Sequence, residues 1–252
     1  MNTNEKKLSV EIVFPVLNEH NRLERGIEGT VEYLRKNPKL TKRADFLLTI
    51  IDNGSTDDTP EIGQRLADKY ECVRFQRIEE RGVGIAFYTG VVSSSADIIG
   101  QMDIDLSTDI RTIAKVIRIF LKYPGVDYVN GTRFSLKSRT IGRKWYRNIT
   151  SYGMLFLLKS VMWMHATDAL CGFTWVRKSA AEKLVRVTRP NNGWFYMVEF
   201  LLRAERMNMD IVDLPVVFTE DYDTTVHVGS TILNYLKNLA SLRLAFWRER
   251  FS

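Results

Sequence analysis

The sequence predicts an α/β fold with a mainly parallel central sheet flanked by helices. Three features predict this class: short apolar runs typical of buried strands, helical periodicity between these runs, and polar motifs directly after successive strands. The chain has 252 residues, of which 45% are hydrophobic and 26% are charged. This composition excludes the collagen, coiled-coil and disordered classes, and it fits a globular chain that buries a large core.

Up to residue 130 the chain alternates predicted strands with predicted helices. The strands fall at 8–14, 46–51, 73–75, 98–102 and 126–129, and the helices fall at 23–36, from Thr59 onward, at 84–93 and at 110–121. The run at 46–51 is almost entirely apolar, which is typical of a strand buried on both faces. Pro60 suits the first turn of a helix that begins at Thr59. This alternation favours parallel pairing, with ligands bound at the carboxyl ends of the strands.

The pattern changes after residue 130. Helices are predicted at 142–165, 179–186, 195–207 and 231–247, and strands at 173–177 and 211–218. No repeat, low-complexity tract or linker-like stretch interrupts the sequence, so we expect one domain over residues 1–252. Its three parts are 8–130, 131–230 and a tail helix in 231–252.

The net charge of +6 is concentrated in two segments. Residues 128–167 contain seven Lys and Arg residues and no Asp or Glu, and residues 231–252 contribute a further +3. The rest of the chain is therefore mildly acidic. Basic segments of this kind suggest phosphate, nucleic acid or an anionic membrane surface as a partner.

Other sequence features bear on the compartment. Cys72 and Cys171 lie far apart and without metal-ligand spacing, so we expect a reducing environment and neither a disulfide scaffold nor a structural zinc site. Residues 2–7 are polar and no apolar run approaches the ~18 residues that cross a bilayer. The expectation is a peripheral protein without a signal peptide, on the cytoplasmic face of a membrane.

The first polar motif follows the strand at 46–51 and consists of Asp52, Asn53, Gly54 and Ser55. At the carboxyl edge of the sheet, Asp52 would be placed to accept hydrogen bonds from a ribose or a base. The same residues also suit a tight turn followed by a helix N-cap. Both interpretations stay open on this motif alone.

The second motif, Asp103-Ile104-Asp105, follows the strand at 98–102. Two carboxylates two residues apart point the same way if the chain stays extended. Together with diphosphate oxygens and water they would suit Mg²⁺ or Mn²⁺. A solvated loop with an N-cap is the alternative, and for an isolated Asp-x-Asp it is the favoured one.

The third motif, Gly82-Val83-Gly84, opens the helix at 84–93, where small residues let a phosphate approach the helix N-terminus. A plain tight turn is again the alternative. The dinucleotide fingerprint would need a further glycine at the position of Phe87, so a nicotinamide oxidoreductase is not expected.

The ordered set of motifs is more specific than any one of them. Phe14-Pro15-Val16-Leu17-Asn18-Glu19, Asp52-Asn53-Gly54-Ser55, Gly82-x-Gly84 and Asp103-x-Asp105 resemble the inverting family 2 glycosyltransferases with a GT-A fold. Gly131-Thr132-Arg133, Arg147-x-x-x-Ser151, Asp168-x-x-Cys171-Gly172-Phe173 and Glu199 look like the polyprenyl-phosphate branch, which includes dolichyl-phosphate glucosyl- and mannosyl-transferring enzymes. The resemblance covers about residues 9–220.

The resemblance implies a role for each matched residue. The donor nucleotide sugar would contact Pro15, Asn18, Glu19, Asp52, Gly54, Gly82, Gly84, Asp103 and Ile104, with Asp103 and Asp105 holding the metal. Arg133, Arg147 and Ser151 would bind the phosphate of a polyprenyl acceptor, and the catalytic set would be Asp105, Asp168 and Arg133. Residues 8–130 would then form the nucleotide-sugar half and residues 131–230 the acceptor half.

The implied reaction is inverting transfer of a hexose from a nucleotide sugar, of the UDP-glucose or GDP-mannose class, to a polyprenyl or dolichyl phosphate. The alternative enzyme transfers to a saccharide hydroxyl, with Asp168 as general base. A basic module that binds nucleic acid or membrane without catalysis is a third possibility. No nucleic acid is expected, because no base-reading module is visible, and the oligomeric state stays open.

Two segments need separate interpretation. Residues 219–230 are acidic, whereas the mannose type carries a cation in this segment. Thr219-Glu220 matches the glucosyl type, and His227 is a candidate to replace the missing cation.

The tail helix has one broad apolar face, into which Arg243 intrudes. The members of this face are Ile232, Leu233, Leu236, Leu239, Ala240, Phe246 and Trp247. This helix and residues 152–164 are predicted either to lie in a membrane interface or to pack as core or subunit interface.

Overall fold

The computed structural model describes residues 7–189, 191–220 and 228–249, with side chains in the last range from Leu233. Its strands are β1 (Leu8–Val16), β2 (Ala44–Asp52), β3 (Val73–Arg77), β4 (Ile98–Gln101), β5 (Tyr128–Thr132), β6 (Arg139–Ile141), β7 (Thr174–Arg177), β8 (Ile211–Pro215) and β9 (Val217–Thr219). Its helices are α1 (Leu23–Lys36), α2 (Pro38–Thr41), α3 (Thr59–Lys69), α4 (Val83–Ser93), α5 (Thr112–Lys122), α6 (Trp145–Met162), α7 (Lys178–Val187), α8 (Phe195–Arg206) and α9 (Val228–Arg248).

The central sheet contains seven strands in the order β3-β2-β1-β4-β7-β5-β8. It is mostly parallel, which confirms the predicted class, and β7 alone among these strands runs antiparallel to its neighbours β4 and β5. Val16 and Asp52 pair at the carboxyl ends of β1 and β2. The loops after β1, β2 and β4 therefore leave the sheet at the same edge.

Helices cover both faces of the sheet. On one face the apolar stripes of α1, α3 and α5 pack against alternate residues of β1, β2 and β4, with Ile27, Leu66 and Val116 fully buried. On the other face α4, α6, α7, α8 and α9 enclose a second cluster around Phe87, Tyr196 and Phe200. Burial of a strand on both faces explains the near-continuous apolar run of β2.

Three parts of the chain fold into elements that were not predicted. The predicted strand 211–218 is two strands, β8 and β9, which separate at Val216. β9 pairs in parallel with β6, a three-residue strand without an apolar pattern that was not predicted. The short helix α2 was also not predicted.

Helix α6 is shorter than its predicted range of 142–165. It begins at Trp145 and ends where Trp163 takes a left-handed conformation, with φ of 56°. In the described parts of the chain, no helix combines the length and the apolar character needed to cross a bilayer.

Candidate active site

One cavity of about 600 Å³ opens at the carboxyl edge of the sheet, between the loops of the two halves of the chain. We call it the central cavity. The first half contributes Pro15, Glu19, Asn53, Gly82, Asp103, Ile104 and Asp105 to its lining, and the second half contributes Arg133, Arg143, Arg147, Ser151, Gly172 and Glu220. Motifs separated by more than a hundred residues in sequence therefore face the same space.

Asp103 and Asp105 meet the central cavity through a turn rather than through an extended strand. The chain turns after β4, with a hydrogen bond from the Leu106 amide to the Asp103 carbonyl of 3.2 Å. Leu106 takes a left-handed φ of 57°, and its neighbour Ser107 donates its amide to Asp105 Oδ1 at 2.8 Å. The turn thus brings both carboxylates to one wall without the alternation assumed from sequence.

The charge of this pair is poorly compensated. Burial raises the pKa of Asp103 to about 7, and the negative charges of Asp105 and Glu19 act in the same direction, whereas Arg133 opposes them. The absence of a side chain at Gly172 lets the backbone there pack directly against the Asp103 carboxylate, because a Cβ at this position would lie 2.3 Å from Asp103 Oδ2. A carboxylate pair held in this way has a strong electrostatic preference for a cation.

The residues fit a divalent metal that takes its remaining ligands from substrate. Within the described residues, no cluster of three or more His, Cys, Asp or Glu side chains forms a complete protein-only metal site. Two carboxylates with adjacent open space match the way Mg²⁺ is held, by one or two carboxylates together with substrate phosphates and water. Asp103 and Asp105 are the described residues that would hold such an ion.

Arg133 and Asp168 form a buried ion pair at the back of the central cavity. Arg133 Nε lies 2.8 Å from Asp168 Oδ2, and its Nη2 lies 3.1 Å from Oδ1, which is a bidentate pairing. The amide of Leu170 donates to Asp168 Oδ1 at 2.8 Å. Asp168 has no exposed surface, so its carboxylate holds Arg133 in position and does not line the cavity.

The pair also fixes the charge on Arg133. Burial opposes the positive charge, but Asp168 outweighs burial and raises the pKa of Arg133. Arg133 in turn acts on Asp103, whose pKa it lowers. The charge of Arg133 therefore acts on Asp103 and also on Arg143, which lines the opposite wall of the central cavity; we call these sides the carboxylate wall and the basic wall.

The basic wall contains two further arginines that share one carboxylate. Arg143 Nη1 lies 3.1 Å from Glu220 Oε2, and Arg147 contacts the other carboxylate oxygen of Glu220. Arg143 also donates from Nη2 to Ser151 Oγ at 2.7 Å. Ser151 lies on α6 with Arg147, and Arg143 just precedes this helix, whereas Glu220 reaches the group from the end of β9.

The loops after β1 and β2 are tied together by polar side chains. Asn18, with a left-handed φ of 56°, accepts the Thr56 amide at its Oδ1 and donates its own amide to Ser55 Oγ. Asn53 donates to the Val16 carbonyl and accepts the Gly82 amide at 3.0 Å. These contacts fix the rim of the central cavity on the side of the first half.

Asp52 lies just below this rim. Its Oδ1 accepts the Ser55 amide at 3.0 Å, which is the turn contact anticipated from sequence, and its Oδ2 is buried without a hydrogen bond. Arg77 Nε lies 3.6 Å from this oxygen. Asp52 has an acceptor to offer, but it reaches no open surface in this conformation.

Glycine is required where two loops touch. Gly82 has a φ of 137°, and a Cβ there would lie 1.9 Å from the Asn192 carbonyl oxygen. The loop before α8 therefore closes over the start of α4, and Asn192, Gly193 and Trp194 join the cavity lining. This loop is a part of the site that sequence motifs did not indicate.

The structure separates the sequence-predicted site residues into three groups. Nine of them line the central cavity: Pro15, Glu19, Gly82, Asp103, Ile104, Asp105, Arg133, Arg147 and Ser151. Asn18 lines an adjoining pocket that shares Glu19, Asp105 and Glu220 with it. Asp52, Gly54, Gly84 and Asp168 lie outside both linings, and His227 lies outside the described residues.

Sequence reasoning missed Asn53, Arg143 and Glu220. Arg143 stands four residues before Arg147 in the basic segment, so its spacing carried a usable signal. Glu220 was marked only by the match of Thr219-Glu220 to the glucosyl type. Its pairing with Arg143 and Arg147 carried no sequence signal, because it depends on the unpredicted contact between β6 and β9.

Solved structures share this architecture. The chain aligns with glucosyl-3-phosphoglycerate synthase from Mycobacterium tuberculosis in complex with UDP, at a TM-score of 0.70 and 19% identity, covering 94% of this chain and 80% of that one. Another structure of that synthase holds Mn²⁺, UDP and glucosyl-3-phosphoglycerate and aligns at a TM-score of 0.63. Likeness at this identity confirms the GT-A fold.

Curated relatives match most of the chain at modest identity. Dolichyl-phosphate beta-glucosyltransferase of Homo sapiens is 27% identical over 96% of this chain and 78% of its own length. Glycosyltransferase AglD of Haloferax volcanii is 28% identical over 90% of this chain, which spans only 35% of that protein.

Residues 11–185 match the family described as Glycosyl transferase family 2. This range covers more than half of the chain and contains the two aspartates, the paired Arg133 and Asp168, and the basic wall on α6. The chain therefore belongs to glycosyltransferase family 2.

Proposed function

We propose that this family 2 glycosyltransferase moves one hexose from a nucleotide sugar, of the UDP-glucose or GDP-mannose class, to a polyprenyl or dolichyl phosphate. The observation that carries the proposal is the two-sided central cavity, with two carboxylates on one wall and Arg133, Arg143 and Arg147 on the other. A carboxylate pair suits a metal-bound diphosphate, and an arginine cluster suits a phosphate. The human relative named dolichyl-phosphate beta-glucosyltransferase supports the same acceptor.

The donor occupies the side of the first half in this proposal. Pro15, Asn18, Glu19 and Gly82 line its space, and Asp52 offers a buried acceptor oxygen next to it. Asp103 and Asp105 would hold Mg²⁺ or Mn²⁺, and a metal bound there would supply positive charge to offset that of the departing nucleoside diphosphate. Structures of the mycobacterial synthase with Mn²⁺ and UDP support this choice of cofactor.

The chemistry then requires little proton transfer. A phosphate oxygen of the acceptor forms a bond to the anomeric carbon while the bond from that carbon to the diphosphate breaks, and the diphosphate leaves with the electron pair. The acceptor phosphate is already ionised, so it needs orientation and charge stabilisation rather than a base. Attack opposite to the leaving group inverts the anomeric centre.

Arg133 is the residue best placed to act in this step. Its charge is fixed by Asp168, and it acts electrostatically both on Asp103, which faces the donor, and on Arg143, which faces the acceptor. We therefore assign Arg133 to contact the reacting groups and Asp168 to position Arg133. Asp168 would act as a positioning residue rather than as a base.

This arrangement weighs against transfer to a saccharide hydroxyl. A general base must come within hydrogen-bond reach of the proton it removes. Both oxygens of Asp168 are already held, by Arg133 and by the Leu170 amide, and neither is exposed. A soluble phosphorylated acceptor is the stronger second candidate, because the mycobacterial synthase was solved with phosphoglyceric acid.

A membrane surface would present the lipid acceptor. On α6, Trp145, Ile149, Tyr152 and Phe156 recur at helical spacing, and each is more than half exposed. They lie on the helix that also holds Arg147 and Ser151. An exposed aromatic stripe beside cations is typical of a helix that rests in the headgroup region.

Helix α9 extends this surface. One of its faces packs on the core through Tyr235, Leu239, Leu242 and Phe246, while Leu233, Leu244 and Trp247 stay exposed. Arg243 lies with its guanidinium 4.3 Å from the ring centroid of Trp163, and this stacking connects α9 to the end of α6. We propose that both helices rest on the cytoplasmic face of a membrane as a peripheral attachment.

A transfer assay tests the proposed function. The chain is incubated with Mn²⁺ or Mg²⁺, polyprenyl phosphate in liposomes, and labelled UDP-glucose or GDP-mannose in separate reactions. We expect label in the organic phase with one of these donors, as a mild-acid-labile sugar whose anomeric configuration is opposite to that of the donor. Absence of a lipid product with every common nucleotide sugar would overturn the proposal.

A further inference from the structure

Glu220 is a carboxylate in the position expected for an acceptor's anion. Its side chain is 5% exposed and lines both the central cavity and the adjoining pocket. It pairs with Arg143 and Arg147 and, through Arg143, reaches Ser151. Arg147 and Ser151 are the residues assigned above to the acceptor phosphate, so this group already holds a negative charge supplied by the chain itself.

The backbone fixes Glu220 at this place. Its amide donates to the Ile141 carbonyl at 3.0 Å, directly after β9, so the ladder between β6 and β9 continues to this residue. Only the carboxylate at the end of the side chain meets the two guanidinium groups. Rotation of this side chain would release both arginines without breaking the strand pairing.

The arginine cluster needs an anion. Arg143 is buried close to Arg133, and burial together with the charge of Arg133 lowers the pKa of Arg143, while Glu220 opposes this effect. Asp168 is already committed to Arg133. Among the residues that the structure describes, Glu220 is therefore the carboxylate that pairs with both Arg143 and Arg147 when no acceptor is present.

We propose that Glu220 is an internal competitor that the acceptor's phosphate monoester must displace, and that it thereby restricts the site to strongly anionic acceptors. This inference rests on the proposed function, since it concerns the acceptor side of the same site. A phosphate dianion offers more charge and more acceptor oxygens to two guanidinium forks than one carboxylate does. A neutral hydroxyl cannot replace Glu220, so such acceptors find the arginines occupied.

The alternative is that Glu220 stays in place and orients the two arginines toward the acceptor. The two roles predict opposite changes in phosphate affinity when the Glu220 carboxylate is removed. Removal of a competitor raises the fraction of molecules with an open site, and the apparent affinity rises by the same factor. Removal of a positioning residue leaves the arginines less ordered and weakens binding.

The test is the affinity of the full chain for geranyl phosphate and for glycerol 3-phosphate, measured by calorimetry for wild type and Glu220→Gln. We expect both phosphates to bind about tenfold more tightly to Glu220→Gln, and geraniol to show no measurable binding to either protein. Glu220→Asp keeps the charge on a shorter side chain, so we expect an intermediate affinity. Unchanged or weaker phosphate binding by Glu220→Gln would overturn the inference.

Glu249→Gln is the matched control. Glu249 also pairs with an arginine, Arg203, but it lies at the end of α9 and lines neither pocket. We expect wild-type phosphate affinity from this variant. Thermal unfolding of each variant shows whether it is folded.

The two phosphates also separate this inference from the proposed function. Tighter binding of both by Glu220→Gln, combined with transfer to glycerol 3-phosphate alone, would support Glu220 as the competitor and overturn the lipid acceptor. Transfer to a polyprenyl phosphate without tighter binding by Glu220→Gln would leave the function standing and reject the role of Glu220.

Discussion

The two walls of the central cavity differ in how far their charges are balanced by neighbouring residues. On the side of the first half, burial and the negative charge of Asp105 raise the pKa of Asp103 to about 7. On the side of the second half, Arg133 and Arg143 each have a carboxylate partner from the chain, Asp168 and Glu220 respectively. The charge of the first wall is only partly offset, by Arg133, whereas the arginines of the second wall have carboxylate partners from the chain.

This difference separates two ways of preparing a site. An uncompensated carboxylate pair has high affinity for a metal but is costly until the metal arrives. A compensated arginine cluster is stable without ligand, and the incoming phosphate must exchange with an internal partner. Variants of the two walls should therefore respond differently to metal, to acceptor and to pH.

The largest effect should come from the carboxylate wall. Asp105→Ala removes one of two proposed metal ligands, so we expect sugar transfer to fall at least about a hundredfold, since metal stabilisation of the leaving group is worth several kcal/mol. The measurement is the initial rate of lipid-linked product from labelled donor. Asp109→Ala is the control, because Asp109 lies on the same loop but pairs with exposed Arg111. Comparable losses in both variants would contradict a metal role for Asp105.

The buried pair on the other wall should couple strongly. Asp168→Asn leaves the Arg133 charge buried without its partner, and Arg133→Gln leaves the Asp168 carboxylate in the same condition, so each should cost about 3 kcal/mol of stability. The double variant should lose clearly less than the sum. Urea unfolding of the four proteins measures this coupling. Simple additivity would show that Asp168 does not hold Arg133.

The apolar stripe of α6 offers a test of a third surface. The double variant Trp145→Ala, Phe156→Ala removes two exposed rings, and we expect liposome binding to fall about tenfold or more. Binding of UDP should not change, because neither residue lines the central cavity. Tyr123→Ala removes an exposed ring at the end of α5 and should leave liposome binding intact. Equal flotation of all three proteins would reject α6 as the attachment.

A smaller effect should appear in the pH dependence of the carboxylate wall. Metal binding requires ionised Asp103, so the affinity for Mn²⁺ in the presence of UDP should fall up to about tenfold from pH 7 to pH 6. Without metal, the stability of the fold should change with pH in the opposite direction. The raised pKa of Asp103 stabilises the folded state below about pH 4, and this contribution is lost as the pH rises to about 7.

Asp103→Asn is the variant that isolates this group. It should show a flatter dependence of melting temperature on pH between 4 and 7 in EDTA, and it should bind Mn²⁺ weakly at every pH. A melting curve for Asp103→Asn with the same pH dependence as wild type would assign the titration to another group.

Most of the fold follows from local sequence patterns. The strands β1 to β5 and the helices α1, α3, α4 and α5 are predicted because each buries a regular apolar face or run. Of the elements that were missed, β6 and the break between β8 and β9 are stabilised by pairing over more than seventy residues. Such a contact leaves no periodic pattern in a three-residue strand.

In the site, as in the fold, the residues that local sequence patterns place were predictable, and those that tertiary contacts place were not. Asp103, Asp105, Arg133 and Arg147 follow strands or lie on a helix, and their positions on the cavity follow from the sheet. The exclusion of Asp168 from the cavity could not be predicted, because it depends on the rotation of one side chain toward Arg133. The pairing of Glu220 with Arg143 and Arg147 could not be predicted either, because it depends on tertiary packing.

The basic wall of the central cavity is proposed to receive the phosphate of a lipid. The most direct test is a competition in which polyprenyl phosphate in liposomes and glycerol 3-phosphate in solution are offered together with one labelled nucleotide sugar and Mn²⁺. We expect most of the label to enter the organic phase and excess glycerol 3-phosphate to reduce this fraction only slightly. Label that accumulates in water-soluble glycosyl phosphate, with none in the lipid, would contradict it.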